Sequence, residues 1–172
     1  MKYNFDTMIW EWGMFGALDV LQAMRPKLNA ADFNSFYKQV MEIVYRTDTI
    51  PAIDKIIDLY RSSGLNRPIE DNDRIARMYA NSNLIVTAWD KETLVGISRS
   101  LTDFCFCCYL SDLAVKKEYQ KHGLGKKLID LTREEIGAQT TLLLLSAPTA
   151  MGYYPKVGFQ KIENGFIINR TK

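Results

Sequence analysis

Residues 113–126 constrain the fold of this chain more than any other stretch. Leu113-Ala114-Val115 reads as the end of a strand. A few charged residues later, Gln120-Lys121-His122-Gly123-Leu124-Gly125-Lys126 opens a helix on two glycines. Leu124, Leu128 and Leu131 recur at i, i+4 and i+7, widened by Ile129 and Ile136, so this helix lays one apolar stripe on a core until Gly137 closes it. Gly123 and Gly125 let the backbone approach a ligand with no Cβ in the way, and the first N–H groups of the helix, at its positive dipole end, face outward. A pyrophosphate fits such an end. Lys116, Lys117, Lys121, Lys126, Lys127 and His122 surround the loop and would raise local affinity for an anion, although a solvated basic surface accounts for each lysine taken singly.

Composition narrows the class. With 172 residues, 47% hydrophobic and 24% charged, the chain has the makings of one domain with a full core. A net charge of +2, with no basic block interleaved with aromatics, makes no case for a nucleic-acid partner. Cys105, Cys107 and Cys108 fall in one short aromatic stretch and read as buried small hydrophobes. They do not form a disulfide framework, and with His122 the only histidine no metal site is expected. Asp6, Glu11 and Asp19 interrupt the apolar N-terminus, so no signal peptide is read there and the expected location is the cytoplasm. Gly137, Gln139, Ser146, Pro148 and Pro155 break the charge-free run between Glu135 and Lys156, which argues for a buried strand and not a membrane span.

Periodicity orders the rest. Residues 1–40 suggest two short amphipathic helices, the second capped by Asn29 and carrying Phe33, Phe36, Tyr37 and Val40. Their apolar faces need either the chain's own domain or a second copy, which would make a homodimer. Residues 42–46 alternate as a strand, residues 50–63 form a helix that Gly64 stops, and Pro68 begins another that ends near Asn83. Strands at residues 84–89, 94–101 and 104–115 make an antiparallel meander. Residues 141–145, apolar on both faces, read as a covered central strand, and a short helix spans residues 149–153. The chain closes as a hairpin, residues 159–162 and 166–169 around Asn164-Gly165.

The glycine loop matches the Gln/Arg-x-x-Gly-x-Gly/Ala pattern of the GNAT acetyltransferase superfamily, and Tyr153-Tyr154-Pro155-Lys156-Val157-Gly158-Phe159 resembles that family's Tyr-x-x-x-Gly-Phe segment. The resemblance covers residues 41–172, leaving residues 1–40 as a helical N-terminal extension. It implies an α/β (α+β) fold, a central mixed and mostly antiparallel sheet flanked by helices. In that fold the fourth and fifth strands, here residues 104–115 and 141–145, splay apart to admit acetyl-CoA.

The resemblance also implies roles. Backbone groups of Leu113 and Val115 would pair with the pantetheine of acetyl-CoA (or CoA), and Gln120, Lys121, His122, Gly123, Leu124, Gly125 and Lys126 would hold its pyrophosphate. Tyr154 would protonate the departing thiolate. Pro155 biases Tyr154 away from the α region and should swing its phenol aside, while Tyr153 is expected in the core and His122 as an exposed loop residue. Ala147 stands where many members carry asparagine, with Ser146 as a substitute. Asp112, at the point where its strand should bulge, is the nearest carboxylate to serve as general base or amine anchor, with a structural role as the competing reading. Glu70, Asp71 and Asp73 are alternatives that favourable charge at a helix start already explains.

The activity so implied is an N-acetyltransferase in which a primary amine attacks directly in a ternary complex. A small-molecule acceptor is preferred to a protein terminus. A non-catalytic acetyl-CoA-binding regulatory module, or a protein-interaction domain built on residues 1–40, is the alternative. Arg61, Arg67 and Arg99 suit an acidic acceptor and the carboxylates a polyamine or aminoglycoside; the sequence does not rank them.

Overall fold

Residues 84–89 and 94–100 build the middle of the sheet and are buried on both faces. The structure, a computed structural model, describes residues 17–33 and 43–171. The earlier part of the first N-terminal helix, and Phe36, Tyr37 and Val40 of the second, lie outside the described residues. Strands β1 (Ile43–Arg46), β2 (Leu84–Asp90), β3 (Thr93–Thr102), β4 (Cys107–Val115) and β5 (Thr141–Leu143) lie in the order β1-β2-β3-β4-β5. The first four pair antiparallel and β5 pairs parallel to β4. This is the mixed, mostly antiparallel sheet expected from the sequence.

Helices cover both faces. Leu84, Val86 and Ala88 join Leu124 and Leu128 of α4 (Leu124–Ile136) in one cluster, while Ile85, Trp89 and Ile97 meet α2 (Ile53–Ser63) and α3 (Asn72–Ala80) in another. Gly96 lets α4 approach: a Cβ there would lie 3.0 Å from Leu128 Cδ1. Leu128 and Ile129 are fully buried, each contributing on the order of 1.5–3 kcal/mol of apolar transfer. Thr132, also buried, hydrogen-bonds Leu128 O and the Ser98 hydroxyl, both at 2.8 Å, so these two hydroxyls are satisfied inside the core.

The N-terminal segment belongs to the first cluster. Helix α1 (Ala17–Met24) contributes Leu21 and Met24, and Phe33 joins them; all three are at most 4% exposed. Asn29 caps the next turn, accepting from the Asp32 N–H at 2.9 Å and donating to its carboxylate at 2.8 Å. These apolar side chains are covered by the chain's own core.

Gly64 ends α2 with φ 75°, its N–H donating to Tyr60 O. Helix α2 begins at Ile53 and not at residue 50, β5 stops at Leu143 and not at residue 145, and three further elements differ from what the sequence suggested. Helix α3 begins at Asn72, because the Asp71 carboxylate accepts the Arg74 N–H at 2.8 Å and caps it, leaving Pro68 in a preceding turn. Strand β4 begins at Cys107, because the Asp103 carboxylate gathers the N–H groups of Cys105, Phe106 and Cys107 into a tight turn. Cys105 and Cys107 are consequently exposed and only Cys108 is buried. Two 3-10 turns, Pro148–Ala150 and Tyr154–Val157, replace the short helix.

The C-terminal hairpin is absent. Residues 159–171 form no strand, Phe166 and Ile168 are fully exposed, and β5 is a three-residue edge with its outer residues open. An Asn-Gly turn fixes local geometry only, and a two-stranded ribbon without an apolar face to rest on is marginal in water.

Candidate functional site

Register decides what lies between β4 and β5. The two strands pair only at Cys107, Cys108 and Tyr109 against Thr141, Leu142 and Leu143, then part. The gap is a cleft of about 370 Å³. Leu113 and Val115 line one wall and Leu144 to Ala147 the other, with Arg67 from the α2–α3 loop and Tyr154 at its edges. The expected splay is therefore present.

At one end of the cleft the chain turns into α4. Gln120 Nε2 donates to Val115 O at 2.9 Å, fixing the loop to the strand it leaves. Lys121 and Gly123 both take left-handed backbone, at φ 68° and 87°. No side chain caps the helix and its first turn holds no acid, so its leading N–H groups are left for an anion. Leu124 itself is buried and offers only its backbone. The cationic rim is thinner than the sequence suggested: Lys126 pairs with Asp130 at 2.6 Å and Lys116 with Asp58 of α2.

His122 is half-buried, where the sequence suggested an exposed loop residue. Its ring lies 5.8 Å from that of Phe33, and burial followed by the charge of Arg25 holds its pKa below the ordinary 6.5. Tyr153 departs from its expected core position in the opposite direction. It is 37% exposed, with its hydroxyl over Gly125.

Tyr154 opens the last 3-10 turn and is half-buried between the rings of Tyr153 and Phe159, each at 5.5 Å and edge-on. Pro155 sits inside that turn without ending it. Burial pushes the Tyr154 phenol above its ordinary pKa of 10, so it keeps its proton at neutral pH. The Ser146 hydroxyl donates to Ala147 O at 2.8 Å.

Asp112 lies next to the bulge the sequence anticipated. Arg99 faces Asp112 while Ser100 faces Leu110, which leaves Ser111 as the extra residue. The Asp112 side chain is fully buried, and both of its oxygens are taken. Tyr60 donates to Oδ2 at 2.7 Å, Arg67 Nε to Oδ1 at 2.6 Å, and Arg99 Nε to Oδ2. A carboxylate held by two guanidiniums and a phenol has no oxygen turned toward an acceptor, so the geometry makes Asp112 an anchor for the arginines instead of a base. Tyr60 and Tyr79, hydrogen-bonded at 2.6 Å, are pushed far up in pKa, first by burial, and stay neutral. The sequence contained each member of this network but not the register that joins them.

An acetyltransferase (GNAT) domain family matches residues 63–170. The chain belongs to the GNAT acetyltransferases. A GNAT member takes its acetyl group from acetyl-CoA, and the uncapped helix opening beside a parted strand pair fits that group. An uncharacterized N-acetyltransferase, ycf52, of Pyropia yezoensis is 26% identical over 159 residues, covering 80% of this chain and 88% of that protein. Among solved structures, a probable acetyltransferase from meticillin-resistant Staphylococcus aureus aligns with a TM-score of 0.65 at 23% identity, covering 74% of this chain and 99% of that one. The aminoglycoside N-acetyltransferase AAC(6')-Iy in complex with CoA aligns at 0.59 with 12% identity, covering 77% and 97%. Both share the GNAT fold with this chain. No described helix is long and apolar enough to cross a membrane.

Proposed function

We propose that this GNAT member acetylates a primary amine of a small molecule, the amine attacking directly in a ternary complex. The observation that carries the reading is the parting of β4 from β5 after Tyr109, which opens a cleft leading to the uncapped start of α4. Acetyl-CoA supplies the thioester. The N–H groups at residues 123–126 and the neighbouring Lys121 would hold its pyrophosphate, and the main chain of Leu113 and Val115 would take its pantetheine. Gln120 holds Val115 O in place.

As the amine nitrogen bonds to the carbonyl carbon, the carbon–sulfur bond breaks. Tyr154, protonated at neutral pH, gives its proton to the departing thiolate. The nitrogen releases its own proton to water, since Asp112 is tied. In this reading residues 41–172 are the catalytic domain and residues 1–40 a helical extension of it. The unpaired thiols suit a reducing cytoplasm.

Calorimetry with acetyl-CoA and with CoA tests the binding step, and mass spectrometry of an amine panel tests transfer. Saturable heat with an acetyl increment on one amine is expected. Absence of heat on folded protein overturns the reading. Heat without transfer leaves a cofactor-binding module in its place.

A further inference from the structure

Charge in the cleft is one-sided. Among the described residues that line it, Arg67 is the single charged side chain. Of the acids that competed for the acceptor, Asp71 caps α3, neither Glu70 nor Asp73 reaches the cleft, and Asp112 is sealed behind the arginines. The cluster behind the wall does not balance: Arg67 and Arg99 carry two positive charges against one carboxylate, with Tyr60 and Tyr79 neutral. A partly buried, uncompensated positive charge seeks an anion.

Arg67 is also aimed. Its Nε is held by Asp112, its Nη2 by Ser111 O at 2.7 Å and by Asp112, and its Nη1 by Asn66 O at 2.7 Å. One N–H on Nη1 has no acceptor among the described residues, and the side chain is 26% exposed at the cleft. Arg99 is buried deeper, donating to Ser82 and Ser111, and cannot itself meet a ligand.

We infer that the acceptor is an amine that also bears an acidic group, a carboxylate or a phosphate, and that Arg67 receives that group. This rests on the acetyl-transfer reading above. Polycations such as aminoglycosides meet the wrong sign.

Matched acceptors decide it, with the full chain and acetyl-CoA: 4-aminobutyrate against its amide, phosphoethanolamine against ethanolamine, and spermidine. The acid-bearing member of a pair should show kcat/KM about tenfold or more above its neutral partner, as a charge-assisted hydrogen bond warrants. Arg67→Gln should abolish the preference by raising KM with kcat little changed, and Arg67→Lys should restore part of it. Retained acetyl-CoA binding by each variant shows that it has folded. Equal use of acid and amide, preference for spermidine, an Arg67→Gln loss shared equally by both members, or no transfer to any acid-bearing amine overturns the inference while acetyl-CoA binding stands. Absence of acetyl-CoA binding by the parent protein removes the function and the inference with it.

Discussion

Gly125 and Tyr153 meet at the opening of α4: a Cβ placed at residue 125 would lie 2.8 Å from the Tyr153 hydroxyl oxygen. Alanine in a helix is better than glycine by about 0.5–1 kcal/mol, so the tyrosine decides the sign of a substitution here. Gly125→Ala should be neutral or destabilising in the parent and stabilising in a Tyr153→Phe background, a coupling of about 0.5 kcal/mol or more in urea denaturation. Identical effects in both backgrounds would show that the two do not touch.

Asp112 compensates Arg67 and Arg99 inside the protein, so removing its charge strands them. Asp112→Asn should cost about 3–5 kcal/mol of unfolding free energy. A loss under about 1 kcal/mol would mean that the carboxylate is not the anchor described, and the network would need redrawing.

Tyr154→Phe keeps the ring between Tyr153 and Phe159 and deletes the proton. Steady-state kinetics should find kcat lowered about 100-fold, the low end for a general acid, with acetyl-CoA affinity little changed. An unaltered kcat would remove Tyr154 from the chemistry.

His122 gives a pH signature. Its folded pKa lies below 6.5, so the unfolded chain binds the proton more readily and stability falls as pH drops from 6.5 toward the folded value; above 6.5 the effect is absent. Denaturation midpoints across that window should fall less steeply for His122→Gln than for the parent. Parallel curves would place the ring in water.

Phe166 is in contact with nothing that burial would reward. Phe166→Ser should leave the denaturation midpoint unchanged, whereas Leu128→Ala should cost about 2–5 kcal/mol. A large effect at residue 166 would reveal a packed C-terminal strand.

What the sequence disclosed, it disclosed through local rules. The meander, the stripe on α4 and the stops at Gly64 and Gly137 follow from periodicity and backbone freedom, and the loop at residues 120–126 follows from the motif. What it withheld depends on pairing between distant segments. Arg99 and Asp112 are read as partners only once the extra residue at Ser111 is known, and Tyr60 on another element completes the set. The C-terminal ribbon failed for the complementary reason: its turn signal was sound, but a turn does not provide a surface to lie on.

Leu21, Met24 and Phe33 sit against the same core as Leu124 and Leu128, although the family match begins only at residue 63. A fragment trimmed to the matched region would lose Leu21, Met24 and Phe33 from the cluster that Leu84, Val86, Leu124 and Leu128 share. The side chains that pack as one cluster thus reach further along the chain than the stretch by which its kinship is recognised.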